Sequence, residues 1–272
     1  MTKTLADKNH TEGTPGVCKV AVIPIRNAPQ EQSEMISQLL FGEYYNIEEI
    51  TEKWLKITTL FDHYTGWIDH KFFEEADLPK GMDNQMQPVL YSKIAEIETP
   101  DGSLQLIPAG SSLPFYNQAD CEFMIGKQKF RIKPLFGDIL LPASQKVFET
   151  ARQFMNTPYL WGGRSVFGFD CSGFIQTVHK IHGVCLQRET NQQASAGQLI
   201  STFKVAVAGD LAFFCNDEGM INHVGMVLSD TKIIHCSGWV RVDSLDGKGI
   251  FNQERGIYTH RLKEVRRIIG NL

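Results

Sequence analysis

Residues Thr157 to Gly173 read TPYLWGGRSVFGFDCSG, and this stretch decides the fold of the C-terminal half of the chain. Gly162, Gly163 and Gly168 permit a tight, exposed approach of the backbone to Cys171. Directly after Cys171, the residues Phe174, Ile175, Val178 and Ile181 recur at helical spacing until Gly183 stops the pattern. Cys171 therefore falls on the first turn of an amphipathic helix. Unpaired backbone N–H groups and the positive end of the helix dipole favour thiolate over thiol there. A small buried residue at a loop–helix junction is the bland alternative, but the glycine-rich, aromatic setting points to a reactive cysteine.

A reactive thiol needs a base, and the base needs an orienting group. Downstream come Gly209 to Cys215 (GDLAFFC), Ile221 to Leu228 (INHVGMVL) and Lys232 to Gly238 (KIIHCSG). All three read as short β-strands, the last two joined by a Ser229-Asp230-Thr231 turn. His223 lies near the start of one strand and His235 near the end of the next. An antiparallel hairpin brings those positions together, which predicts a Cys171–His223–His235 relay. His223 is then the base and His235 fixes its tautomer and ring orientation.

Two other motif readings fit less well. Phe169-Asp170-Cys171-Ser172-Gly173 is related to the nucleophile elbow of α/β-sheet hydrolases, but that elbow wants Gly two residues before the nucleophile, and Gly168 is three before. Zinc is the other option, since Cys171, His223, His235 and Cys236 are all ligand types. No CxxC or HxxxH spacing occurs, and Cys236 points to the opposite strand face from His235.

Tyr159-Leu160-Trp161-Gly162-Gly163, Asp170-Cys171-Ser172-Gly173, Gly209-Asp210-Leu211, His223-Val224-Gly225 and His235 form an ordered set. Over roughly residues 143–270 that set resembles the NlpC/p60 cysteine peptidases. The resemblance implies a minimal papain-like fold with a Cys-His-His triad that cleaves peptide bonds in bacterial cell-wall stem peptides. It also implies that Tyr159 helps hold the oxyanion, its phenol acting with the backbone N–H of Cys171. A core aromatic before a turn is the alternative for Tyr159.

Length and composition bound the rest. A chain of 272 residues can hold one large domain or two to three small ones, and 42% hydrophobic residues suffice for a packed core. The net charge of −4 gives no electrostatic case for nucleic acid or for an anionic membrane or wall polymer. No run of 18 apolar residues occurs, and MTKTLADKNHTEGTPG has no apolar h-region, so a cytoplasmic protein is expected unless a leader has been trimmed. The six cysteines (18, 121, 171, 185, 215 and 236) show no framework spacing, which suits a reducing compartment.

Residues 1–15 read as a loosely attached tail. From 16 to 76, short strands separated by turns suggest a small β-barrel. Its pattern QLLFGE…WLKI…YTGWI, within residues 38–68, resembles a bacterial SH3-like domain. Asp77 to Asn84 reads as a linker, and residues 85–142 as a second, divergent SH3-like barrel. The region 143–272 begins with a helix carrying Val147, Ala151 and Phe154 on one face, with Ser144 as candidate N-cap. Thr190-Asn191-Gln192-Gln193 is a capping-box pattern for a short helix ending near Gly197. The expected class is α+β: a papain-like domain preceded by two small SH3-like barrels.

Glu189, just before Thr190, bears on the substrate. It can simply favour a helix N-terminus. In members that recycle wall peptides, the resemblance implies that an acidic residue in an Arg-acid-Ser/Thr stretch binds the substrate's free α-amine. Here that stretch is Arg188-Glu189-Thr190, with Glu where Asp is expected. An ammonium–carboxylate bond contributes roughly 1.5–3 kcal/mol, which an N-acylated peptide would lose. The resemblance further offers Tyr64 of the first barrel as a residue reaching the amine site. Tyr64 as a barrel-rim aromatic is the alternative, and Tyr44 and Tyr45 are substitutes for it. Trp161 and Ser172 complete the candidate substrate contacts, though Ser172 can equally be a helix-start cap. The resulting expectation is an endopeptidase of L-Ala-γ-D-Glu-diamino acid peptides. It needs no metal or organic cofactor, engages neither nucleic acid nor membrane, and acts as a monomer. A secreted enzyme acting on intact wall and a binding module with an idle catalytic domain are the competing readings.

Overall fold

The computed structural model describes residues 11–78, 87–135, 137–142 and 144–268. Positions 1–10 of the expected tail, 79–84 of the expected linker and Ala143 lie outside the described residues.

Six strands form the first sheet: β1 (Pro15–Val17), β2 (Val22–Arg26), β3 (Met35–Leu40), β4 (Tyr44–Ile50), β5 (Trp54–Thr59) and β6 (Thr65–Asp69). Their order is β1-β4-β5-β6-β2-β3, all pairings antiparallel. Alternation in β2 and β5 sends Ile23, Ile25, Leu55 and Ile57 inward, where they close on Leu39, Tyr45, Ile47 and Ile68 as an SH3-like barrel core. The second, smaller barrel is built on β7 (Ile94–Glu98), β8 (Leu104–Pro108), β9 (Glu122–Ile125) and β10 (Gln128–Pro134), in the order β8-β7-β10-β9. Phe123 and Phe130 stack there at 5.2 Å, and Phe41 of the first barrel meets both edge-on. The two barrels therefore share apolar packing.

The C-terminal part carries α1 (Val147–Arg152), the ribbon β11 (Arg164–Ser165) and β12 (Gly168–Phe169), then α2 (Cys171–Ile181) and α3 (Thr190–Gln193). Seven strands follow: β13 (Gln198–Leu199), β14 (Leu211–Cys215), β15 (Ile221–Ser229), β16 (Lys232–Ser237), β17 (Trp239–Leu245), β18 (Gly249–Asn252) and β19 (Ile257–Arg267). They run β13-β19-β14-β15-β16-β17-β18, and β19 also pairs with β18, so the sheet closes on itself. Leu211, Phe213, Val224, Met226 and Ile234 face α2 on one side; Ala212, Phe214, Val227 and Ile233 fill the barrel on the other.

Three local expectations need correction. Lys146, not Ser144, is the N-cap of α1, with Glu149 Oε2 accepting the Lys146 N–H at 3.2 Å; Ser144 stands two residues too early for that role. In α3 the cap is Glu189 rather than Thr190, because Gln192 Oε1 accepts the Glu189 N–H at 3.3 Å, and the helix stops at Gln193. The helix α2 is not amphipathic in its surroundings, since all eleven of its residues are buried.

The polar side of α2 is buried because the barrels supply its partners. Glu43, which follows β3, accepts from Arg164 at 3.0 and 3.1 Å and from Lys180 Nζ at 2.6 Å. Lys180 also donates to the Gly110 carbonyl at 2.7 Å and to Ser112 Oγ at 3.3 Å in the second barrel region. Gln176 Nε2 donates to Asp62 Oδ2 at 2.6 Å, and Arg164 donates from N and Nη1 to Gln38. Burial works against the Glu43 charge, but Arg164, Lys180 and the Leu40 N–H outweigh it and hold the carboxyl at about 2. Gly162, at φ +75°, lies directly against the Met35 carbonyl, where any Cβ would collide. The helix bearing Cys171 is thus anchored to both barrels.

Candidate active site

Asp170 starts α2 and shapes its approach. Its Oδ1 accepts the Gly173 N–H at 2.7 Å as an N-cap, and its Oδ2 accepts the Gly162 N–H at 2.9 Å. The buried guanidinium of Arg188 grips the same carboxylate through both oxygens and donates to Ser172 Oγ at 2.7 Å. Ser172 therefore lines the cleft with its hydroxyl already engaged. Cys171 follows the cap directly, on the first turn of α2.

A cleft of about 470 Å³ opens over Cys171. Tyr159, Trp161, Ser172, Glu189 and His223 line it together with Cys171, so six of the eight sequence-selected residues share one cavity. His235 lies behind His223, with His223 Nε2 and His235 Nδ1 2.8 Å apart. The sheet register produces this contact: Gly225 pairs with His235, and His223 precedes Gly225 by two residues on the same face. A Cβ at Gly225 would press on the Cβ of His235 and on Ile233, so glycine makes room for the ring. The two imidazoles turn nitrogens toward each other rather than toward a common metal point.

Tyr64 reaches the cleft from the first barrel, its hydroxyl donating to Glu189 Oε1 at 2.5 Å. Tyr44 and Tyr45 do not, because each is buried in a barrel core. Burial and the Glu189 carboxylate push the Tyr64 phenol upward, and burial does the same for Tyr159 with Cys171 next in effect. Both phenols remain protonated hydrogen-bond donors at neutral pH.

Burial works against the expected thiolate. Burial pushes the Cys171 thiol up to about 11, reinforced by the Asp170 carboxylate. The Thr190 hydroxyl, the Val224 N–H and Arg188 pull the other way without overcoming it. Burial also holds His223 well below 6.5. Both shifts favour neutral thiol and neutral imidazole over the ion pair.

Sequence reasoning missed three residues. Glu34, just before β3, lines the cleft and accepts the Trp161 Nε1–H at 2.6 Å. Asp243 on β17 approaches His235 Nε2 at 3.0 Å through Oδ2. His260 on β19 stacks on His223 at 4.1 Å between ring centroids, 27° from parallel. Period-two alternation along RVD (Arg241 to Asp243) was the available signal for Asp243, whereas nothing local in the sequence marks Glu34 or His260.

Comparison with known proteins agrees with this geometry. A family model described as "NlpC/P60 family" matches residues 156–259, and one described as "Bacterial dipeptidyl-peptidase Sh3 domain" matches residues 25–71. The chain is 26% identical to the gamma-D-glutamyl-L-lysine dipeptidyl-peptidase of Bacillus cereus, over 75% of this chain and 67% of that protein. It is 28% identical to the Bacillus subtilis protein of the same name, over 73% and 71%. It is 25% identical to dipeptidyl-peptidase 6 of Lysinibacillus sphaericus, over 90% and 94%. A crystal structure of an NlpC/P60 family protein from Bacillus cereus shares the fold, with a TM-score of 0.75 at 20% identity, covering 94% of this chain and all of that one.

Proposed function

We propose that this cysteine peptidase, which matches an NlpC/P60 model and a bacterial dipeptidyl-peptidase SH3 model, cleaves γ-D-glutamyl–diamino acid bonds in stem peptides with a free N-terminal L-Ala. One observation carries the free-end reading. The two carboxylates Glu34 and Glu189 line the same cleft as Cys171, and Glu34 and the Glu189 partner Tyr64 come from the first barrel. The guanidinium of Arg188, which lines the cleft, is committed to Asp170, which leaves Glu34 and Glu189 facing the cleft for a substrate ammonium. An N-acylated peptide would desolvate those carboxylates without replacing their water.

In this reading Cys171 Sγ attacks the γ-carbonyl of the D-glutamyl residue. With Nε2 engaged by His235, His223 takes the thiol proton on Nδ1. The Tyr159 phenol and the backbone N–H of Cys171 meet the oxyanion. His223 then protonates the leaving amine of the diamino acid. Water, deprotonated by the same imidazole, opens the thioester and releases L-Ala-D-Glu. The setting we propose is cytoplasmic recycling of wall-turnover peptides, a reading supported by the free-end chemistry and by six cysteines that are all unpaired.

Mass spectrometry of cleavage on free L-Ala-γ-D-Glu-diaminopimelate and its N-acetylated counterpart tests the proposal. Cleavage of the free peptide alone is expected. Equal cleavage of both would reject the amine gate.

A further inference from the structure

His223, His235 and Asp243 lie on a diagonal across three neighbouring strands. Gly225 pairs with His235 and His235 with Arg241; His223 is two residues before the first position and Asp243 two after the last. The contacts run His223 Nε2 to His235 Nδ1 at 2.8 Å, then His235 Nε2 to Asp243 Oδ2 at 3.0 Å. Arg241 Nη2 donates to the other oxygen, Asp243 Oδ1, at 2.8 Å, and its guanidinium rests on the Trp239 ring at 4.7 Å. From β19, two strands away through β14, His260 covers the face of the His223 ring.

We infer that Asp243 is a positioning residue that sets the tautomers of both histidines and so keeps His223 Nδ1, the nitrogen not engaged by His235, free of a proton and able to take one from Cys171. The inference rests on the cysteine peptidase reading above and goes one residue beyond its Cys-His-His set. The argument is one of donor and acceptor parity. An ionised carboxylate only accepts, so His235 must carry its proton on Nε2. In the neutral His235 ring Nδ1 is then an acceptor, and His223 must donate to it from Nε2–H. A neutral imidazole has one proton, so His223 Nδ1 holds a lone pair. Asp243 is ionised at neutral pH: burial opposes its charge, but His235 and Arg241 hold it below the ordinary carboxylate value. His260 is kept neutral by burial, at about 4, so it adds no cation against the His223 ring.

Arg241 makes the parity testable. In Asp243→Asn the guanidinium still requires an acceptor, so the amide oxygen stays on Arg241 and the NH2 group faces His235 Nε2. His235 must then accept at Nε2 and donate from Nδ1, which forces the His223 proton onto Nδ1. The base is blocked without any change of shape. Asp243→Ala instead leaves room for water, which can accept from Nε2–H and preserve the working tautomer.

The experiment measures turnover of the free tripeptide and the rate of Cys171 alkylation by iodoacetamide across pH, in wild type, Asp243→Asn, Asp243→Ala and the double variant Arg241→Ala/Asp243→Asn. For Asp243→Asn, kcat should fall at least about tenfold at little-changed KM, short of the roughly 10⁴-fold cost when such a carboxylate touches the base directly. Asp243→Ala should be the faster of the two single variants, and the double variant should recover activity over Asp243→Asn because its amide is free to flip. Alkylation follows the same order and needs no peptide, so it reports on the relay even if the assigned substrate is wrong. Imidazole nitrogen NMR of the wild type gives the tautomers without any variant that could misfold. Protons on Nε2 of both His223 and His235 are expected. An Nδ1 proton on either ring, or Asp243→Asn no slower than Asp243→Ala, would overturn the assignment.

Discussion

Replacing Glu43 by Gln should remove one pH-dependent contribution to stability. The Glu43 carboxyl titrates near 4.5 when unfolded and at about 2 in the fold, held there by Arg164 and Lys180. At about 1.4 kcal/mol for each tenfold change in proton affinity, that difference stabilises the fold by about 3 kcal/mol at neutral pH. Because the folded value is the lower one, the contribution is complete above about pH 4.5 and fades as acid protonates the carboxyl. By pH 3 roughly 2 kcal/mol of it has gone, and below about 2 it is absent. Glu43→Gln leaves two buried cations short of a counter-charge, which costs about 3–5 kcal/mol at pH 7. Urea unfolding of both proteins, followed by tryptophan fluorescence at intervals from pH 7 to 3, gives the effect as a difference in which groups remote from Glu43 cancel. The two stabilities should converge toward acid. A gap that stays constant from pH 7 to pH 3 would refute the ionised node between the barrels and α2.

Two further outcomes bear on the site. Cys171→Ala should abolish turnover while leaving the unfolding transition in place, since the side chain is small and the Asp170 cap is untouched; residual activity above a few per cent would mean another nucleophile. Glu189→Gln should lower kcat/KM on free-amine peptides by about 10- to 150-fold, the equivalent of roughly 1.5–3 kcal/mol for a charged hydrogen bond. An equal loss on N-acetylated peptide would reject an amine-binding role.

The nucleophile, both histidines and their strands were legible because each is announced locally. Cys171 sits before a helical period of apolar residues, and His223 and His235 occupy hairpin strands whose register follows from alternation. Contacts between distant segments were not legible. The apparent amphipathicity of α2 implied a solvent face at Gln176 and Lys180, yet Asp62 and Glu43 cover it. Glu34 lies 127 positions from the Trp161 it contacts, in a segment with no motif of its own. The opposing influences on the Cys171 thiol differ in legibility for a related reason. The helix start is visible in sequence, whereas the burial that outweighs it is made by the whole assembly.

The buried anchoring of α2 has an evolutionary corollary. Barrel and peptidase regions match separate family models, as interchangeable cassettes would. Here the cassette boundary is chemically closed. Exchange of the first barrel for one without Glu43, Asp62 and Gln38 would strand Arg164, Lys180 and Gln176 in the interior, in addition to removing Glu34 and Tyr64 from the cleft. Recombination that altered substrate range would also jeopardise folding. Lineages carrying this arrangement should diversify by point substitution along the cleft rim and seldom by domain exchange.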